Sequence, residues 1–189
     1  MRPIRYAAAL SLVMSLAATA QGVPTVGQPM PSFAVDDIAG TRHTERDLRG
    51  QWTVAMVMTD KDVADDIRGW FQRLHPALPD PDRLMSFIAI NIFPLVPTAT
   101  LISQARDASP RRRWPSVWLS RDGSFARSLG LPEEEMPWIL VINPEGRVAL
   151  MLHERASAAG VARVLATLPP PAPPASPPAP TPAPPAPSP

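Results

Sequence analysis

The chain has 189 residues, no cysteine, 27 prolines, and 18 Lys+Arg against 17 Asp+Glu. That even balance excludes the strongly basic surface of a nucleic-acid-binding protein. The missing thiols exclude disulfides and every reaction that needs a cysteine thiolate.

In chain order, Arg2 and Arg5, the apolar run Ala7 to Leu16 and Ala18-Thr19-Ala20 make the three parts of a secretory signal peptide, with cleavage expected after Ala20. The apolar run is too short to span a bilayer comfortably, so no stable membrane anchor is expected after cleavage. Removing residues 1–20 takes Lys+Arg from 18 to 16 against 17 Asp+Glu, a net charge near −1. An exported chain may form disulfides; this one must rely on an ordinary core.

About 145 residues, Val23 to Leu168, suit one domain. Ser32 to Val35, a turn at Asp36 to Gly40 and Thr41 to Thr44 read as a hairpin, followed by one helical turn from Glu45 to Leu48. Thr53 to Met58 is apolar along most of its length, as a strand covered on both faces should be. Val63, Ile67, Trp70, Phe71 and Leu74 then form one helical stripe, with Asp62 placed to cap it and Asp65 and Asp66 near its positive end.

Leu84 to Ile92 is expected to be a second buried strand, and Pro97 to open a helix with Leu101, Ile102 and Ala105 facing inward. Ser116 to Ser120 reads as a strand and Ser124 to Leu129 as a short helix ended by Gly130. Trp138 to Ile142, the turn Asn143-Pro144-Glu145-Gly146 and Val148 to Leu152 read as an antiparallel pair. Ser157 can cap a last helix with Val161, Val164, Leu165 and Leu168 inward. The order predicts an α/β domain, a central mixed sheet with helices on both faces. Pro169 to Pro189 contains only Pro, Ala, Ser and Thr, and is expected to be a disordered, extended spacer or binding strip.

Gly27 to Phe33, Ala39-Gly40, Leu48-Arg49-Gly50 before the apolar strand, Arg121-Asp122-Gly123, and Met136-Pro137 followed by Ile139 to Val148 together resemble the redoxin branch of the thioredoxin superfamily, the branch of exported thiol-disulfide oxidoreductases and alkyl hydroperoxide reductase-like proteins. The resemblance covers Gly27 to Leu168 and implies a thioredoxin-like fold with an N-terminal hairpin. It places the family's redox pair at Asp62 and Asp65, give or take a residue. It also implies a groove beside Met136-Pro137 and a cis bond there, which an X-Pro bond permits for about 0.5–1 kcal/mol; sequence alone leaves trans open. A carboxylate has no comparable redox chemistry, so the resemblance carries fold and not activity.

Asp60, Asp62, Asp65 and Asp66, with Glu133-Glu134-Glu135 before Pro137, could bind a hard cation or the basic part of a peptide, or could simply cap a helix and meet solvent. His43, His75 and His153 lack metal-ligand spacing and read as structural or surface residues; Arg111-Arg112-Arg113-Trp114 reads as a solvated loop. No catalytic residue, metal ligand or cofactor is assigned. Two functions stay open: a non-catalytic module, periplasmic or extracellular, that binds a peptide or protein partner in a bacterial envelope; or a thiol-independent enzyme or auxiliary redox factor, metal-assisted in one version.

Overall fold

The computed structural model describes residues 23–91 and 96–170. The expected signal peptide, the tail beyond Pro170 and Ile92 of the second expected strand lie outside the described residues.

Among the described residues, seven strands form one sheet in the order β2-β1-β5-β4-β3-β6-β7. They are β1 Ala34–Asp37, β2 Arg42–Thr44, β3 Thr53–Met58, β4 Leu84–Ala89, β5 Val117–Ser120, β6 Trp138–Ile142 and β7 Val148–His153. The helices are α1 Ala64–Leu74, α2 Thr98–Asp107, α3 Ser124–Leu129 and α4 Ala158–Thr167. β3 pairs parallel with β4 and β4 with β5, whereas β6 runs antiparallel to β3 and to β7. The sheet is therefore mixed, with β3 and β4 at its centre.

The period of two in a strand sends alternate side chains to opposite faces. Ala55 and Val57 of β3, with Leu140 of β6, join Phe33, Leu48, Phe87, Trp118 and Phe125 in one core cluster. Val54 and Met56, with Ile139 and Val141, join Trp70, Leu74 and Val164 of α1 and α4 in the other. Apolar runs on β3 and β6 follow directly from this double coverage. No helix among the described residues is long and apolar enough to cross a membrane.

Several local expectations are corrected. The first strand starts later, at Ala34, and takes in Asp36 and Asp37, because the Asp37 N–H pairs with Thr41 O at 2.9 Å and narrows the turn to Ile38–Gly40. The second buried strand ends at Ala89, and Asn91 makes only an isolated bridge to Asp122. Leu101, Ile102 and Ala105 are half-buried, and α2 has no fully buried residue.

Asp62 does not cap α1: the helix's N-cap residue is Val63, with no side-chain bond, and the capping carboxylate is Asp60, one short segment earlier. The chain first turns through a short 3-10 segment, Lys61–Val63, so the extended residue at its start is Asp60, whose Oδ1 accepts from the Asp62 N–H at 2.7 Å. The Arg111–Ser116 segment is a 3-10 turn in which Arg113 is buried, in place of the expected solvated loop. Its guanidinium finds backbone carbonyls, which makes burial of the charge tolerable.

The first hairpin is locked by a buried carboxylate. Asp37 Oδ1 accepts from the N–H groups of Gly40 and Thr41 at 2.7 and 2.8 Å, and Oδ2 lies 2.9 Å from His43 Nε2. The His43 ring stacks on Trp118 with centroids 4.6 Å apart. Burial pushes the Asp37 pKa up, but the bonds from His43, Thr41 and Gly40 outweigh it, leaving the group below its ordinary 3.8. A carboxylate more acidic folded than unfolded stabilises the fold fully above the unfolded value, and that contribution disappears as pH falls through the lower folded value. Stability should therefore fall on acidification below about pH 4, and Asp37→Asn should lower stability at neutral pH and flatten that acid limb. Urea midpoints measured across this range test it; an unchanged acid limb in the variant would assign the loss to other groups.

Candidate functional site

β3 runs to Met58, and the chain turns at Thr59-Asp60 into the start of α1. Opposite lies Glu133–Met136, the loop that leads into β6. Thr59 is buried, and its Oγ1 accepts from the Glu134 N–H at 3.1 Å, tying the acidic loop to the end of the central strand. Asp60, Glu133, Glu134, Glu135, Met136 and Arg155 line one open cavity of about 580 Å³. Met136 is 37% exposed, a large apolar side chain on a rim of carboxylates. Pro137 is buried behind it.

Asp62 and Asp65 are not among the residues lining this cavity. Both are exposed on the start of the helix, each already paired: Asp62 Oδ1 with Lys61 Nζ at 2.6 Å, Asp65 Oδ1 with Arg68 Nη1 at 2.7 Å. The hydrogen bond to Asp62 and its charge hold the Lys61 ammonium above its usual range. Asp66 Oδ2 lies 3.4 Å from Arg155 Nε, so the one cation lining the cavity faces the helix start as well.

The Met136-Pro137 bond is trans, correcting the expected cis form; no cis peptide bond occurs among the described residues. Trans is the lower-energy isomer of an X-Pro bond, and the loop reaches β6 with Glu134 still bonded to Thr59. Behind the proline, Trp138 stacks on His153 across the β6–β7 pair, ring centroids 3.9 Å apart. Trp138 Nε1 and His153 Nε2 are buried without a hydrogen-bond partner among the described residues.

Sequence reasoning missed Thr59 and Arg155. Thr59 carries a signal in retrospect, a polar residue closing an apolar strand; Arg155 carries none, since it comes from the turn after β7. Among the described residues no three His, Asp or Glu side chains are grouped to hold a metal ion.

No family model matches the chain. No curated protein matches it either. Solved structures do. A Chlorobium tepidum protein described as a thiol:disulfide interchange protein, DsbE, superposes with TM-score 0.56 at 16% identity, over 76% of this chain and 95% of that one. Yeast Sco1 with copper bound gives 0.55 at 16%, over 74% and 93%. The exposed lipoprotein thioredoxin Etrx1 of Streptococcus pneumoniae gives 0.52 at 11%, over 72% and 99%. The mixed sheet, the helices on its two faces and these likenesses converge on one architecture: the chain has a thioredoxin-like fold, and it has no cysteine with which to do thiol chemistry.

Proposed function

We propose that this is an exported, non-catalytic thioredoxin-like module that binds a peptide or protein partner at the cavity between Asp60 and Met136. The observation that carries the reading is the exposed Met136 set among Asp60 and Glu133–Glu135. An apolar anchor ringed by carboxylates suits an extended segment that offers one apolar side chain and nearby Lys or Arg. Asp62 and Asp65 occupy the places of the family's redox pair and serve here as charge at the helix start. The three-part N-terminus, Arg2 to Ala20, supports export, as does the likeness to an exposed lipoprotein.

A photo-crosslinker at position 136, used in the native envelope, should capture a partner. Met136→Arg should then weaken binding of that partner about tenfold or more, the effect of losing roughly 1.4 kcal/mol at a central anchor. Asp62→Asn with Asp65→Asn should matter far less, since neither lines the cavity. Equal capture by the Met136→Arg variant, measured by titration with the identified partner, would refute the site.

A further inference from the structure

On the opposite part of the domain, Trp52, Leu78, Pro79, Arg83, Leu168 and Pro170 line a mainly apolar groove of about 430 Å³. The polypeptide leaves the domain through its wall: Leu168 follows the end of α4, and residues 171–189 lie outside the described residues. We propose that this groove is the docking site for the chain's own tail, Pro171 to Pro180, held as a polyproline II strand against Trp52 and Arg83.

Three observations carry this. First, polyproline II has three residues per turn, so positions three apart share an edge. Counting from Leu168, which lines the groove, the next positions in phase are Pro171, Pro174, Pro177 and Pro180. Pro169 and Pro170 line the groove too, so every edge of the strand starts there, but only the edge in phase with Leu168 carries proline at four successive turns; the other two meet Ala172 and Ala175, or Ser176 and Ala179.

Second, the groove has the chemistry that reads such a strand. A proline edge packs on an aromatic wall, here the half-buried Trp52, with Leu78 and Pro79 beside it. Proline has no N–H, so the strand's carbonyls lack intrachain donors and need them from outside. Arg83 supplies donors: its Nη2 is buried with no hydrogen-bond partner, and its guanidinium makes no hydrogen bond or ion pair among the described residues. Burial lowers the Arg83 pKa, and Asp80 opposes the fall. Asp80, also on the groove's wall, accepts from the Asp82 N–H through Oδ1 at 3.1 Å and makes no ion pair with Arg83.

Third, reach favours this occupant. The tail begins at the rim, so closure is intramolecular and costs little loop entropy. The strand carries no charge, and neither repels nor competes for the groove's Arg83.

The cysteine-free chain allows a direct test. A nitroxide on Ser176→Cys of the full chain, on an edge away from the docking one, reports proximity as loss of NMR intensity. The expected result is strong loss at the Trp52 indole N–H, the Leu78 methyls and the Arg83 side chain, unchanged on dilution. It should be relieved when Pro171, Pro174, Pro177 and Pro180 are all replaced by serine, which touches nothing in the folded core. Arg83→Gln should relieve it in part. Loss that only fades with distance from Pro170, identical in the serine variant, would overturn the proposal. So would loss that appears in a mixture of isotope-labelled chain and spin-labelled unlabelled chain, which would make the occupant a second copy.

Discussion

Trp70→Ala should destabilise the domain by about 3–5 kcal/mol, the usual cost of removing a buried aromatic side chain. Trp70 is completely buried at the centre of α1, and its Nε1–H donates to the Glu154 carbonyl at 3.0 Å, just beyond β7. It also fills the space above Gly160 of α4, where an added Cβ would come within 2.6 Å of its Cη2. One side chain therefore joins the helix that begins at the candidate site, the end of the sheet and the last helix. Trp70→Phe keeps much of the apolar area and loses the hydrogen bond, and should cost about half as much or less. Urea denaturation of both variants distinguishes the contributions. An alanine midpoint close to that of the parent would mean that α1 is held by something other than this joint.

The second large effect is at Arg113, where alanine should cost about 2–4 kcal/mol. The buried guanidinium donates through Nη1 to Pro81 O at 2.9 Å and through Nη2 to Leu84 O, and it lies 5.3 Å from the centre of the Phe71 ring. It thus ties the turn before β5 to the start of β4 and to α1. Burial pulls its pKa down, with Asp82 opposing and Arg112 adding to the fall. Arg113→Met preserves volume and deprives both carbonyls of their donor; Arg113→Lys keeps the charge but cannot reproduce the planar fork. Both should fall between parent and alanine. If alanine were neutral in a urea titration, the two carbonyls would have to be hydrated in the native state.

The readable parts of this fold are those where a hydrophobic pattern meets an unambiguous stop. β3, β6, α3 and the turn Glu45–Leu48 begin and end where the sequence expects. α3, for example, stops at Gly130, whose φ of +68° suits glycine far better than any other residue. The misread parts share a different cause. Asp60 and Asp62 are equally good caps by composition, and only the short 3-10 turn Lys61–Val63, which takes in Asp62, decides. Three consecutive arginines look solvated because nothing local announces that Pro81 and Leu84, distant in sequence, will offer carbonyls to Arg113. The Met136-Pro137 isomer turns on an energy difference smaller than pattern reading can weigh. For the candidate site, the chain showed the carboxylates and Met136, but which of them share a cavity depended on the tertiary placement of Thr59 and Arg155.

The ion pairs at the start of α1 have a consequence for how such a site is controlled. Lys61–Asp62 and Arg68–Asp65 are exposed pairs between neighbours on one helix turn, and Arg155–Asp66 reaches the same place from β7's far end. Exposed pairs of this kind contribute little and weaken as salt rises, with a screening length of about 8 Å at physiological ionic strength. A thiol site answers to the electron donors around it. By contrast, a basic ligand held as proposed by Asp60 and Glu133–Glu135 would be loosened by rising salt, which screens those carboxylates, rather than by a change in redox poise.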